Sequence, residues 1–254
     1  MSLTFEMPGV NGSNGNGRGT YGLQMAPATQ PQVRTDVPEK NRQRVCNTLV
    51  ISDLHLGSDV CQAKAILETL KTWKFRRLVI LGDAFDDMRF KRLKRSHFKV
   101  LSRINKISAP KNRTEVVWVE GNHDDDFLAV VSTMLGIPVR KEYMFQVGGR
   151  RYLAIHGHRF DKFMNDNPRL TSAASWLYLL VQRRDTRRQN LSRYLKRKSK
   201  GADVVMCGHT HIPVHRKNYG GLEYVNTGCW TDVPCTYATI DHDGIKLHKH
   251  TPQT

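Results

Sequence analysis

The sequence predicts an α/β fold, a β-sheet with helices packed on its outside, from two kinds of pattern. Short apolar runs of strand length each end at a polar motif, at residues 49–52, 78–81, 116–119, 152–155 and 204–206. Between the first two runs, apolar residues recur at helical spacing, at Ala63, Ile66, Leu67, Leu70 and Trp73. The last third contains further strand patterns at residues 222–225, 236–240 and 245–248, separated by turn residues. This alternation of strands and helices predicts βαβ units.

Length and composition predict one domain preceded by a tail. The chain has 254 residues, 39% of them hydrophobic, which is enough for one core over residues 45–254. Residues 1–44 are expected to be flexible, because their Asn- and Gly-rich stretch buries too little apolar surface to offset its ordering entropy. No apolar run reaches the roughly 18 residues of a membrane span, and the start lacks a secretory-signal pattern. Five scattered cysteines without a CxxC pair suit a reducing cytoplasm.

The polar motifs that follow the five apolar runs are rich in metal-ligand residues. They are Asp53-Leu54-His55, Gly82-Asp83, Gly121-Asn122-His123-Asp124, His156-Gly157-His158 and Gly208-His209-Thr210-His211. Side chains placed just past strand ends on a rigid sheet are typical of an active site built from loops. The mixture of carboxylate, imidazole and amide groups favours divalent ions such as Mn²⁺, Fe²⁺ or Zn²⁺. The motifs therefore predict catalysis by two adjacent metal ions.

In this order the five motifs resemble the signature of the calcineurin-like metallophosphoesterases, and the resemblance runs from about Cys46 to His250. Within that superfamily, residues 51–57 and 156–161 are most similar to the UDP-2,3-diacylglucosamine hydrolase branch. The resemblance implies a four-layer αββα sandwich of two mixed β-sheets flanked by helices, with a helical cap insertion at about residues 160–200. It also implies hydrolysis of a phosphoric ester or pyrophosphate bond by a hydroxide that bridges two metal ions.

The resemblance further assigns a ligand set to each of the two ions. Asp53, His55 and His211 belong to the first ion, Asn122, His156 and His209 belong to the second, and Asp83 bridges both. A bridging carboxylate suits ions roughly 3.5–4 Å apart that share a nucleophile. Mn²⁺ is the expected ion, with Fe²⁺ or Zn²⁺ as alternatives.

Three further residues receive catalytic or substrate roles. The resemblance implies that His123 contacts the scissile phosphate and protonates the leaving oxygen, while Asp124 orients His123. The resembled branch usually has arginine at the position of His123 and aspartate at that of His158, so the chain departs from its pattern there. Arg89 follows the Gly82-Asp83 motif and is a candidate phosphate contact, because a guanidinium matches phosphate geometry; an exposed helix arginine is the alternative.

The formal net charge of +17 is concentrated in two basic stretches. Residues 183–200 contain nine basic side chains against one acid, Asp185, and a second cluster covers residues 89–99. Such patches attract nucleic acid, an anionic membrane surface or a phosphorylated substrate. Just before the first stretch, residues 176–181 form an apolar helix pattern. We interpret residues 172–200 as a helical cap that holds the protein at a membrane face; covering the domain's own core is the alternative.

These observations predict a metal-dependent phosphoesterase acting on a phosphate-containing small molecule or a lipid-linked nucleotide. The favoured reaction converts UDP-2,3-diacylglucosamine to UMP and the lipid monophosphate. A nucleotide phosphodiesterase, a phosphomonoesterase and a nuclease are alternatives, and nucleic acid ranks lower because no base-stacking platform is evident. A non-catalytic scaffold is the alternative of another class. We expect a cytoplasmic protein, with peripheral membrane association as a further hypothesis.

Overall fold

A computed structural model describes residues 43–87, 90–158, 199–218 and 221–252. The strands of this part are β1 (Arg44–Ile51), β2 (Trp73–Leu81), β3 (Glu115–Val119), β4 (Val139–Arg140), β5 (Tyr143–Val147), β6 (Arg150–Ala154), β7 (Val204–Cys207), β8 (Val214–Arg216), β9 (Glu223–Asn226), β10 (Cys235–Asp241) and β11 (Gly244–His250). Its helices are α1 (Ala63–Thr72), α2 (Arg95–Ser108) and α3 (Asp125–Leu135), with short 3-10 turns at Phe90–Arg92 and Pro110–Asn112.

The strands form two mixed sheets. The first has the order β11-β10-β1-β2-β3-β4, and the second has the order β5-β6-β7-β9-β8. In the first sheet β1, β2, β3 and β4 run parallel, while β10 pairs antiparallel with both β1 and β11. In the second sheet β6, β7 and β9 run parallel, and β5 and β8 are antiparallel edge strands. Each sheet therefore has a parallel centre whose strand ends lie along one edge.

Successive residues of the central strands divide between two apolar cores. Leu49 and Ile51 of β1 pack into the core on the helical side, whereas Val50 between them packs into a second core. The second core also holds Tyr152 of β6 and Met206 of β7, so it lies between the two sheets. This follows from the two-residue period of a strand. Burial of each large aliphatic side chain contributes about 1.5–3 kcal/mol.

The helices cover the outer face of the first sheet. Ile66 of α1, Ile104 of α2 and Leu128 of α3 are buried in the same core as the outward-facing residues of β1 and β2. The predicted helix after β1 is confirmed, except that Trp73 begins β2 and pairs with Arg44 of β1. The apolar spacing alone did not separate helix from strand there, and pairing with β1 ends the helix.

The α/β class and the two mixed sheets flanked by helices are confirmed. The predicted tail, residues 1–44, lies outside the described residues up to residue 42, and the predicted cap lies outside them from residue 159 to residue 198. In the described part of the chain, no helix combines the length and hydrophobicity needed to span a bilayer.

Candidate metal centre

The predicted site residues lie where the parallel strands of both sheets end. Asp53 follows β1, Asp83 follows β2, and Asn122 follows β3 in the first sheet. His156 follows β6 and His209 follows β7 in the second sheet. Because parallel strands present their carboxyl ends at one edge, side chains distant in sequence meet at the rim of the sandwich.

Five of the seven predicted ligands have left-handed backbone conformations, which is unusual for residues other than glycine. Their φ angles are 52° at Asp53, 46° at His55, 47° at Asp83, 75° at His209 and 62° at His211. Such a conformation costs an L-residue about 1–2 kcal/mol, and strain of this kind is concentrated at functional sites. The sharp turns at these strand ends direct the side chains across the rim.

Three glycines of the motifs give these side chains the space they occupy. A Cβ atom on Gly82 would lie 2.1 Å from His156 Nδ1, and one on Gly121 would lie 2.1 Å from Asp83 Oδ1. A Cβ atom on Gly208 would lie 2.3 Å from Asp53 Oδ2. Each distance is far below van der Waals contact, so only glycine fits at these positions without moving a predicted ligand.

Asp53, His55 and His211 form the first cluster, in which one ligand atom from each residue lies within 4.8 Å of the others. His55 Nε2 lies 3.1 Å from His211 Nε2, and His211 Nε2 lies 3.5 Å from Asp53 Oδ1. The Asp53 carboxylate also accepts a hydrogen bond from the backbone N–H of His209 at 2.9 Å. Hydrogen bonding to Asp53 raises the pKa of His211 to about 10, and burial lowers the pKa of His55.

Asp83, His156 and His209 form the second cluster, again with ligand atoms within 4.8 Å of one another. His156 Nε2 lies 3.3 Å from Asp83 Oδ2 and 3.2 Å from Asn122 Oδ1, which brings the predicted amide ligand to the same place. On the other side of the ring, His156 Nδ1 donates to the Leu81 carbonyl at 3.1 Å. That bond leaves Nε2 to face the cluster, as in histidine ligands oriented by a backbone carbonyl.

Asp83 lies between the two clusters. Its Oδ2 atom is 3.3 Å from His156 Nε2 and 3.9 Å from His55 Nε2, and its Oδ1 atom accepts the backbone N–H of His123 at 3.0 Å. Burial opposes ionisation of Asp83, but hydrogen bonding to His156 and His123 lowers its pKa below the usual range. Although burial alone would lower the pKa of His156, hydrogen bonding to Asp83 raises it to about 9. Asp83 therefore presents an ionised carboxylate to both groups.

His123 lies beside the clusters, with its ring held by a backbone carbonyl. Its ring centroid is 5.2 Å from that of His55, and its Nδ1 donates to the Asp86 carbonyl at 2.9 Å. Asp124, the expected orienting group, accepts backbone N–H groups of Ala84 at 2.9 Å, Phe85 at 3.2 Å and Gly121 at 3.0 Å. Burial, together with the charge of Asp83, raises the pKa of Asp124 to about 7. Asp124 thus joins the loops after β2 and β3.

Residues outside the five motifs also support the site. Buried His97 of α2 accepts, at Nδ1, the backbone N–H groups of Gly57 and Lys94, each at 3.1 Å, and so fixes the loop after β1. Asn226 at the end of β9 donates from Nδ2 to the Gly208 carbonyl at 2.7 Å and so holds the loop that carries His209 and His211. Asn226 precedes a Thr-Gly-Cys-Trp sequence at a strand end, a pattern that could have identified it. His97 left no such signal, because its role depends on contacts between distant segments.

Two further polar residues, Asp86 and His158, lie next to the ligand clusters. Asp86 places Oδ1 3.5 Å from His55 Nδ1 and Oδ2 2.6 Å from Arg92 Nη1. The ring of His158 lies 5.3 Å from that of His156. Arg89, the predicted phosphate contact, lies outside the described residues.

Comparison with known protein families assigns the chain to a superfamily. The domain model of the calcineurin-like phosphoesterase superfamily matches residues 47–244, and the chain belongs to that superfamily. All of the predicted ligands lie within the matched region. No curated protein sequence matches the chain.

Several solved structures are similar to the chain at low identity. An archaeal phosphodiesterase has 13% identity and a TM-score of 0.48, with 80% of this chain and 98% of that chain covered. Wild-type Vps29 with Zn²⁺ from Entamoeba histolytica has 16% identity and a TM-score of 0.44, covering 80% and 98%. A conserved protein from Streptococcus pneumoniae, described as a predicted phosphoesterase, has 18% identity and a TM-score of 0.41, covering 81% and 98%.

Proposed function

We propose that this protein is a metal-dependent phosphoesterase with two adjacent divalent ions. The observation that carries the proposal is the position of the Asp83 carboxylate between two ligand clusters, 3.9 Å from His55 Nε2 and 3.3 Å from His156 Nε2. A carboxylate in reach of two imidazole-containing clusters suits a pair of ions held a few ångströms apart. Asp53, His55 and His211 would hold one ion, Asn122, His156 and His209 would hold the other, and Asp83 would contact both.

The donor atoms fit borderline or hard divalent ions. Imidazole nitrogens, carboxylate oxygens and an amide oxygen converge from five strand ends, and the motif glycines leave no competing side chain among them. We propose Mn²⁺ as the usual ion, with Fe²⁺ and Zn²⁺ as alternatives. When bound, such ions lower the pKa of water and polarise phosphoryl oxygens.

His123 is the proposed proton donor to the leaving oxygen. Since its Nδ1 donates to the Asp86 carbonyl, Nε2 is the nitrogen available for a substrate. His123 is exposed at the rim, so an ester oxygen can approach it from solvent. The Asp83 carboxylate holds the His123 backbone N–H and so keeps the donor in register with the clusters. Arg89 stays a proposed phosphate contact.

The proposal is tested by Asp83→Ala, with Asp243→Ala in the exposed β10–β11 turn as the matched control. We expect Asp83→Ala to lose both metal ions in elemental analysis and to abolish hydrolysis of an aryl phosphodiester, while the control retains both. Two bound ions and normal turnover in Asp83→Ala would overturn the assignment. The wild-type protein would be a non-catalytic scaffold if, as purified, it contained no metal and stayed inactive after Mn²⁺, Fe²⁺ or Zn²⁺ was added.

For the substrate, we propose a pyrophosphate or phosphodiester bond in a nucleotide-linked molecule, with UDP-2,3-diacylglucosamine favoured by the similarity of residues 51–57 and 156–161 to that branch. A panel of this UDP-lipid, cyclic nucleotides, phosphomonoesters and single-stranded DNA, each with Mn²⁺, would rank the alternatives. We expect cleavage of the UDP-lipid to release UMP. Activity confined to DNA would refute the lipid substrate and favour a nuclease.

We also propose that the basic stretch of residues 183–200 attracts an anionic membrane surface. Each lysine or arginine near such a surface contributes about 1 kcal/mol, and the attraction weakens with salt. Replacing Arg183, Arg184, Arg187 and Arg188 with glutamine should reduce binding to anionic liposomes but spare turnover of a small soluble diester. Unchanged liposome binding would refute this role.

A further inference from the structure

A third group of metal-ligand side chains lies next to the proposed centre and uses one of its histidines. One ligand atom from each of His211, Cys229 and Asp232 lies within 4.8 Å of the others. Cys229 follows β9, just as the predicted ligands follow β1, β2, β6 and β7. The three residues offer a nitrogen, a sulfur and a carboxylate oxygen, a donor set that none of the five motifs contains.

The two ring nitrogens of His211 face different groups. Nε2 lies 3.5 Å from Asp53 Oδ1 and 3.1 Å from His55 Nε2, within the first proposed ligand cluster. Nδ1 lies 3.5 Å from the Thr231 hydroxyl. The Thr231 hydroxyl in turn donates a hydrogen bond to Cys229 Sγ at 3.3 Å. The imidazole therefore separates two donor sets and presents one nitrogen toward each.

Cys229 has polar neighbours at its sulfur. The Thr231 hydroxyl donates to Cys229 Sγ, and one ligand atom each of His211 and Asp232 lies within 4.8 Å of that sulfur. A sulfur ligand favours soft or borderline ions such as Zn²⁺ over Mn²⁺.

We propose that His211, Cys229 and Asp232 form a third cation site that selects thiophilic divalent ions such as Zn²⁺. This site rests on the proposed function only in sharing His211 with the first ion. Three protein ligands with an open fourth position are typical of a solvent-accessible zinc site. Tetrahedral Zn²⁺ needs donor atoms roughly 3.3–3.8 Å apart, so a small movement of one ligand side chain would close the three donors around the ion. Asp232 is exposed and can make that movement, while buried Cys229 stays fixed.

The site predicts different responses to hard and soft ions. Mn²⁺ binds thiolates weakly and should occupy the carboxylate- and imidazole-rich clusters, whereas Zn²⁺ should occupy the thiolate site as well. A neutral imidazole has one nitrogen lone pair and a proton on the other nitrogen, so Zn²⁺ bound at Nδ1 of His211 keeps Nε2 protonated and weakens the first site. Excess Zn²⁺ should therefore inhibit the Mn²⁺-loaded enzyme, and Cys229→Ser should reduce that inhibition by about 10-fold or more in Zn²⁺ concentration.

The direct test uses the full-length protein, stripped of metal and titrated with Co²⁺ or Cd²⁺, and measures thiolate-to-metal charge-transfer absorption. We expect the band in the wild-type protein and in Cys235→Ser, and its loss in Cys229→Ser. The wild type should also bind one more equivalent of Zn²⁺ than Cys229→Ser. The absence of a band in the wild type, or an unchanged band in Cys229→Ser, would overturn the third site.

Two further variants keep the test decisive. Asp232→Asn changes an exposed side chain and should fold normally but lower Zn²⁺ affinity by about 10-fold or more; unchanged affinity would contradict the proposal. In Asp83→Ala the charge-transfer band should persist, because Asp83 is not one of the three ligands. A band in Asp83→Ala together with intact phosphoesterase activity would refute the proposed function and leave the third site standing.

Discussion

Gly82→Ala tests how closely the motif glycines control the position of a ligand. The added Cβ atom would lie 2.1 Å from His156 Nδ1 and 2.4 Å from Cγ of the same ring. Ordinary carbon contacts begin near 3.5 Å, so the ring must move by about 1.1–1.4 Å. That movement breaks the bond from Nδ1 to the Leu81 carbonyl and withdraws Nε2 from Asp83. A displacement of about 1 Å can lower turnover by about 100-fold.

The backbone of Gly82 adds a second effect that needs its own control. Gly82 has φ +77°, a conformation in which alanine costs about 1–2 kcal/mol. Gly149, between β5 and β6, has φ +79°, and its Cβ atom would meet nothing within 4 Å. Both alanine variants should therefore lower the melting temperature by about 2–8 °C. Only Gly82→Ala should also lose metal and activity.

The assay compares bound metal per chain, the melting temperature and kcat on an aryl phosphodiester for the wild type, Gly82→Ala and Gly149→Ala. We expect kcat to fall by about 100-fold in Gly82→Ala and to change less than 3-fold in Gly149→Ala. Equal kcat and equal metal content in the two variants would refute the reasoning, because the contact with His156 would then have no consequence.

Three other variants test how hydrogen bonds and an ion pair outside the proposed ligand set contribute to the stability of the fold. His97→Phe removes the acceptor of the Gly57 and Lys94 N–H groups and should cost about 1–3 kcal/mol in the free energy of unfolding, measured with urea. Because burial and the charge of Lys94 lower the pKa of His97, wild-type stability should fall as pH drops below 6.5, and equal pH slopes in the two proteins would contradict this. Asp124→Asn places an amide against three N–H donors and should cost about 1–3 kcal/mol, whereas a melting temperature within 1 °C of wild type would contradict that role. Glu223→Gln, which weakens the partly buried ion pair with Arg150, should cost about 1 kcal/mol by the same measurement.

Local patterns in the sequence were sufficient to place the strands that carry the site. The runs at residues 49–52, 78–81, 116–119, 152–155 and 204–206 all fall on observed strands or end within a residue of them. They were predictable because a buried parallel strand is a continuous apolar run, and the polar residue after it marks the rim. The strand order was not predictable, because the antiparallel pairing of β10 with β1 joins residues nearly 200 positions apart.

The elements that escaped prediction have weak local patterns. Helix α2 has a basic exposed face and one buried residue per turn, so its sequence resembles a solvated charged stretch as much as a helix. The edge strands β4 and β8 are short and owe their form to pairing with β3 and β9. The approach of Cys229 to His211 is likewise a property of two loops that meet only in the folded protein. Sequence therefore identifies candidate metal ligands more readily than the neighbouring residues that contact them.

The left-handed conformation of five predicted ligands bears on how this chain could change over generations. Glycine would relieve the backbone strain at these positions by up to about 1 kcal/mol after its own entropic cost, although at Asp53 and Asp83 it would also remove the acceptor of a backbone N–H group. In a lineage released from chemistry, the exchange of a strained ligand histidine for glycine would cost no catalysis. A protein that needed only its fold would thus carry unnecessary backbone strain at five positions: Asp53, His55, Asp83, His209 and His211. Selection for the ligands themselves is the force that would keep them there.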